Sequence, residues 1–331
     1  MLATVALLLA ADVRVVTPAN GAKPVGPYSP GIVVGDYLYV SGQGAAGAVG
    51  IEAQTRLCLN NVRAIVEGAG FQMDQVVYAQ LYLADIGNYN AVNKIWPEYF
   101  KTPPARATLA VTRMPTDTPI EITVVAYKGE RKPLVISGIN NPVPISQGMF
   151  TADRFYVAGI LGRDSNTGIV PEKPEDQLKM VEKRLDNALK SAKMSAKSMV
   201  FANIYHTSKV DPAPLKEKMG RAALAVIEVP ALPFGANVSI TGVAARKPFV
   251  QEGPCNWIGD TGFCSLMTEM KYLATPVATN LYIDSIDEFA AMNAEYAKAF
   301  AGRPLPSRTT VQPVKVGAAP HKFRSSYIAV R

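Results

Sequence analysis

Residues 145–159, ISQGMFTADRFYVAG, repeat residues 28–42, YSPGIVVGDYLYVSG, without a gap and with the same glycine, aspartate, tyrosine and valine positions. The repetition continues: MVFANIY at 199–205 follows VVYAQLY at 76–82, and ITGVAAR at 240–246 follows ITVVAYK at 122–128. Further on, IDSIDEFAAMN at 283–293 overlays LADIGNYNAVN at 83–93. A period of about 120 residues is far longer than that of a solenoid and indicates duplicated domains. The chain divides into units at 13–131, 132–247 and 248–331, preceded by a candidate signal remnant at 1–12.

One motif occurs three times. PPARATLAV at 103–111 returns as GRAALAV at 220–226 and as PSRTTV at 306–311, which aligns Arg106 with Arg221 and Arg308. Each arginine follows a helix-like segment and opens a β-rich run, so each is expected at the mouth of a strand. A guanidinium there suits a planar carboxylate, because its fork of donors matches two oxygens at once. A solvated arginine inherited with the repeat is the alternative.

Within the first unit, IVVGDYLYVSGQ at 32–43 reads as two strands around a Gly35-Asp36 turn. From Glu52, the apolar residues Leu57, Val62, Ile65 and Val66 follow helical spacing until Gly68 and Gly70 stop the helix. A β-rich run at 76–85 precedes a second helix at 88–101, which Pro97 must bend or end. The strand after Arg106, the turn PTDTP and the strand IEITVVAYK complete the order β-β-α-β-α-β-β. Two helices on one face of a single sheet are the expected packing. In the second unit Asn187 aligns with Asn61, and Pro212 and Pro214 are expected to shorten the second helix and remove the counterpart of Asn93. In the third, the chain between Pro248 and Thr275 is too short for a hairpin plus a full helix, so its front half is expected to be missing or remodelled.

Composition narrows the function classes. With 48% hydrophobic and 18% charged residues the chain is globular rather than disordered. Its net charge of +7 would attract acidic partners, but the basic residues are dispersed. The densest set, Lys179, Lys183, Arg184, Lys190, Lys193 and Lys197, reads as a solvated helix face. Gly42, Gly44 and Gly47 satisfy GxGxxG, yet no helix begins inside that loop to meet a pyrophosphate. Cys58, Cys255, Cys264, His206 and His321 form no metal-binding pattern. Cys255 and Cys264 either pair across nine residues in an oxidising compartment or stay as buried thiols. LATVALLLAA at 2–11 has signal-peptide length and a small-residue end at Ala10-Ala11, but no basic residue precedes it. Export to a periplasm-like compartment and a buried first strand in a cytoplasmic protein are both open. The run is too short to span a membrane, and stable membrane insertion is not expected.

GPYSPG, the SGQ at 41–43, NNVRAIVEGAG at 60–70, the Asn93 segment, PPARATLAV and IEITVVAYK, taken in this order, resemble the RidA/YjgF family of reactive-intermediate deaminases, some of which carry the label L-PSP endoribonuclease. The match is close over the first 130 residues, weaker over 132–247 and partial over 275–331. The resemblance implies chorismate-mutase-like α+β units with ligand clefts between neighbours. Three fused units then imply a monomeric single-chain pseudo-trimer with a truncated third unit.

The implied activity is hydrolysis of 2-imino acids, or their enamine tautomers, to 2-keto acids and ammonia. It needs no cofactor or metal, since a protonated imine is already electrophilic. By this resemblance Arg106 holds the carboxylate, and Glu121 deprotonates the attacking water and returns a proton to the leaving ammonia, a role that requires burial to raise its pKa. Tyr28, Ser41 and Asn93 orient the substrate, and Arg221 and Arg308 hold carboxylates in the other units. The second unit departs from the pattern with Ile145, Ala158 and Ser239 in place of Tyr28, Ser41 and Glu121. The third keeps Asn293 and Arg308 but has Arg324 in place of Glu121. At most one complete site is therefore expected, with Arg106 and Glu121 converging in it. A carboxylate-binding protein without turnover is the alternative. RNA cleavage is disfavoured, and no nucleic-acid partner is expected, because the sequence has no histidine pair for it and no basic, aromatic platform.

Overall fold

The computed structural model describes residues 12–136, 142–266, 274–316 and 323–331, so the apolar run at 2–11 and His321 lie outside the described residues. The first unit comprises β1 (Val13–Val16), β2 (Gly31–Val34), β3 (Tyr37–Gln43), α1 (Ile51–Gly68), β4 (Val76–Leu83), α2 (Tyr89–Ile95), β5 (Ala105–Ala110) and β6 (Ile120–Tyr127). The second comprises β7 (Lys132–Pro133), β8 (Gly148–Phe150), β9 (Arg154–Leu161), α3 (Pro174–Ser191), β10 (Met199–His206), α4 (Ala213–Met219), β11 (Ala223–Glu228) and β12 (Val238–Ala245). The third comprises β13 (Val250–Glu252), β14 (Cys255–Ile258), β15 (Thr261–Leu266), β16 (Thr275–Ile283), α5 (Phe289–Ala299), β17 (Ser307–Val311) and β18 (Phe323–Val330). Three six-stranded sheets result, in the orders β1-β2-β3-β6-β4-β5, β7-β8-β9-β12-β10-β11 and β13-β14-β15-β18-β16-β17. The chain is thus a single-chain pseudo-trimer of RidA-type α+β units.

Local chemistry sets the elements. In α1 the buried residues Thr55, Cys58, Leu59, Val62, Ile65 and Val66 form one apolar stripe against the sheet. Gly70, at φ +80°, takes the left-handed position after the helix that a side chain would resist. Pro97 ends α2 at Ile95, and a 3₁₀ turn over Trp96–Glu98 follows, so the second helix is shorter than the expected 88–101. In the second unit, α4 is seven residues long, as α2 is. Its prolines stand in or just before the first turn, where a missing N–H costs nothing, so they do not truncate it.

The front half of the third unit is remodelled in a specific way. Its front hairpin is present as β14 and β15, around a Gly259-Asp260 turn that repeats Gly35-Asp36. What it lacks is the long helix, because the connection from β15 to β16 has too few residues for the 18 of α1. Cys255 and Cys264 face each other across that hairpin and are joined as a disulfide. By loop length, reducing this bond is expected to lower stability by about 2–3 kcal/mol, measured as urea unfolding with and without reductant.

Each sheet is apolar on both faces. On β4, Ala79, Leu81 and Leu83 lie beneath α1 and α2, whereas Tyr82 joins Tyr205 and Tyr282, its register equivalents in the other units, in a shared cluster. Tyr205 and Tyr282 share a hydrogen bond of 3.0 Å between hydroxyls. A second shared cluster draws Tyr39, Val77, Tyr156, Val200, Phe263 and Val277 from all three sheets. No unit covers this face alone, so burial forces the three together. The seams close a ring: β5 packs on β9, β11 on β15, and β17 on β3.

Arg154 lies in this shared interior, 3.9 Å over the Tyr37 ring and paired with Asp153 at 2.6 Å. Arg154→Met is expected to cost about 3 kcal/mol in urea unfolding, the low end for a broken buried pair because Asp153 still reaches water. An unchanged midpoint would show that the pair contributes nothing.

Candidate active site

The seam between β17 of the third unit and β3 of the first builds the larger of the clefts between units. Ser29 donates its N–H to the carbonyl of Pro306 at 3.1 Å and its hydroxyl to that of Leu305 at 2.6 Å. Ser41 accepts the backbone N–H of Arg308 at 2.8 Å and donates to the Ser29 carbonyl at 2.6 Å. Ser41, expected among the substrate-binding residues, therefore commits its one donor to the seam.

That seam fixes the Arg308 guanidinium. Its Nη2 donates to Asn293 Oδ1 at 2.7 Å, and its carbon lies 4.8 Å from the Tyr296 ring centre and 5.2 Å from that of Tyr28. Burial, at 3% exposure, pulls its pKa down, but arginine remains charged. Glu121 of β6 lines the same cavity, of about 250 Å³, together with Tyr28, Phe289 and Asn61. Burial pushes the Glu121 carboxyl up to about 8, against the opposing pull of Arg308. Burial likewise raises the Tyr28 phenol, whose oxygen accepts the N–H of Val25 at 3.2 Å. The constellation is a fixed cation, a carboxyl able to take either protonation state near neutral pH, and a neutral phenol.

Gly42 is a member that motif reading left unassigned. A Cβ there would collide with the Glu121 carboxylate, so only glycine lets the acid occupy its place. Gly42→Ala is expected to displace Glu121 and lower turnover at least about tenfold, with the fold retained, as read by steady-state assay and circular dichroism.

Arg106 and Glu121 do not converge. Arg106 pairs in register with Ala79 and Glu121 with Tyr82, three positions apart on β4 with no bulge between them. Strand alternation then places the two side chains on opposite faces of one sheet. Arg106 instead enters the cleft toward the second unit. Its Nη2 donates to Asn93 Oδ1 and, at 3.5 Å, to the Tyr89 hydroxyl, and its guanidinium lies 4.6 Å over Trp96. That cavity holds Ser239 where the other holds Glu121. Asn93 thus positions Arg106 in a cleft without an acid, and Asn293 is its equivalent in the complete one.

Arg221 is also displaced from its expected place. It is exposed, with Nε 3.3 Å from Gln251 Oε1, while Leu224 holds the register position of Arg106 and Arg308. The alignment GRAALAV was three residues out. The same slip affects α3, whose 18 residues match α1 end to end and bring Arg184, not Asn187, opposite Asn61. Arg184 donates to the Leu161 carbonyl as Asn61 does to that of Gly44. In the cleft between the second and third units, Leu224 therefore stands in place of the clamp, and Arg324, which donates to the Val226 carbonyl at 2.8 Å, in place of the acid. Among the described residues no group of three or more His, Cys, Asp and Glu side chains is placed to hold a metal ion, and no helix is long and apolar enough to cross a membrane.

Known proteins resemble single units of this chain. The model of the family described as Endoribonuclease L-PSP matches residues 19–128 and again residues 138–246. A RutC family protein of Saccharolobus solfataricus is 42% identical over 123 residues, which cover 35% of this chain and 98% of the relative. The human 2-iminobutanoate/2-iminopropanoate deaminase is 36% identical over 124 residues, covering 35% of this chain and 90% of that protein. The solved structure of the YjgF gene product of E. coli is 31% identical, with a TM-score of 0.34, and covers 35% of this chain and 98% of that one. The two family-model matches span more than half of the sequence, and on that ground the chain belongs to the Endoribonuclease L-PSP family, the RidA/YjgF group, with its units fused in tandem.

Proposed function

We propose that the chain hydrolyses 2-imino acids to 2-keto acids and ammonia, at a single cleft formed by Arg308 of the third unit and Glu121 of the first. The observation that carries this reading is the meeting of these two groups, from the first and third units, in one cavity. The deaminase name of the human relative supports the reaction class.

Arg308 holds the substrate carboxylate through its fork of donors, which presents the imine carbon to Glu121 and water. The water oxygen bonds to the carbon of the protonated imine, the C=N electron pair moves onto nitrogen, and the surplus water proton passes to the Glu121 carboxylate. The carbinolamine then collapses: Glu121 returns that proton to nitrogen, the C–N bond breaks as the carbonyl forms, and the hydroxyl proton leaves with ammonia as ammonium. A carboxyl that titrates near 8 suits both transfers, since each asks for the opposite protonation state at nearly the same pH. The Tyr28 phenol stays protonated and can donate a hydrogen bond to the substrate.

The direct test supplies 2-iminobutanoate, made in situ by an amino-acid oxidase, and follows keto-acid and ammonia release. Release no faster than in buffer would overturn the proposal.

A further inference from the structure

The Arg106 cleft has an inverted charge. Where the complete cleft has one guanidinium facing one carboxyl, this one gathers Arg106, Arg163 and Arg184 around Ser239 and Thr108. Arg184 stands for Asn61 of the complete cleft, and its Nη1 bonds the carbonyls of Leu161 and Arg163 at 2.9 and 2.8 Å. Arg163 lies two residues beyond Leu161, as Ala46 lies two beyond Gly44. Two positions that are neutral in one cleft are thus cationic in the other, and the acidic position is a hydroxyl.

The guanidiniums retain unused donors. Arg106 is 2% exposed with Nη1 unpartnered, and Arg163 has a buried, unpartnered Nε and lies 4.4 Å over the Phe234 ring. Burial, and then the neighbouring Arg163, lowers the pKa of Arg184. Buried cations with unsatisfied donors are costly unless an anion meets them.

Shape limits what that anion can be. The cavity holds about 50 Å³, against about 250 Å³ in the complete cleft. Phe234, at φ +61°, occupies the turn position that Thr116 holds at φ +59°, and its ring meets Tyr89 edge-on at 5.4 Å. A substrate with a side chain is therefore excluded, and no acid is present to serve its hydrolysis.

We infer that the cleft between the first and second units is a non-catalytic site for a compact, doubly charged oxyanion of the size of inorganic phosphate, held by Arg106, Arg163 and Arg184 with the Ser239 hydroxyl. Charge-assisted bonds from several guanidiniums favour such an ion over a single carboxylate.

Calorimetric titration of the intact protein with inorganic phosphate, at constant ionic strength, tests the site independently of the deaminase reading. One saturable site per chain is expected, weakened at least about tenfold by Arg163→Gln. Ser239→Glu, which sets a carboxylate among the arginines, is expected to abolish binding without lowering the melting temperature. Both variants are expected to hydrolyse 2-imino acids as the wild type does. The inference is overturned by wild-type protein that binds no phosphate at millimolar concentrations, by binding that survives both variants, or by binding lost in Arg308→Ala but kept in Arg163→Gln.

Discussion

Arg308→Ala is expected to lower kcat/KM for 2-imino acid hydrolysis by roughly 100- to 1,000-fold, while Arg106→Ala leaves it within about twofold. The magnitude combines the loss of a charged, forked hydrogen bond, about 1.5–3 kcal/mol, with the loss of position that follows when nothing anchors the carboxylate. The seam survives the substitution, because Ser41 accepts the backbone N–H of Arg308 and not its side chain. Arg308→Lys should fall between, since it keeps the charge and loses the planar fork. The contrast is diagnostic of the ring closure, in which β17 docks on β3. If Arg106→Ala were the damaging variant and Arg308→Ala the silent one, that assignment of clefts would be wrong.

This contrast also marks where sequence reasoning stops. Repetition of YSPGIVVGDYLYVSG and IEITVVAYK made the duplicated units legible, because hairpin turns and strand alternation are local signals. Glu121, Tyr28, Asn293 and Arg308 were legible as chemistry through the family resemblance, carried over residue by residue. Their grouping was not. Whether Arg106 and Glu121 share a face depends on the register of β5 and β6 against β4, and which arginine meets Glu121 depends on which unit closes the ring; both are long-range packing outcomes. The three-residue slips at Arg221 and Arg184 have another cause. Short motifs such as GRAALAV align by arginine identity, whereas strand pairing and helix ends set the true correspondence. In the third unit, chain length showed that a hairpin and a full helix could not both fit but not which was kept, and the Gly259-Asp260 turn, which repeats Gly35-Asp36, is the local sign of the hairpin.

Glu121→Gln is the second large effect, and it separates catalysis from stability. A group that relays protons typically contributes about 10²- to 10⁴-fold, so turnover is expected to fall by that order. In the wild type, kcat/KM should rise with pH up to about 8, as Glu121 loses its proton and can accept one from water, and this rise should be absent in the variant. Stability should move the other way. The folded-state pKa is raised to about 8 from an ordinary value of 4.5, so the folded form binds one proton more than the unfolded form between those limits. The stabilising contribution is therefore complete below about 4.5 and is lost as pH rises towards 8, with a slope near 1.4 kcal/mol per pH unit. Glutamine has no proton to lose, so Glu121→Gln should hold its urea midpoint across this window and exceed the wild type above pH 8. A wild-type midpoint parallel to that of the variant from pH 5 to pH 9 would show that Glu121 is not held at a raised pKa, and the two-way proton transfer assigned to it would fail with that result.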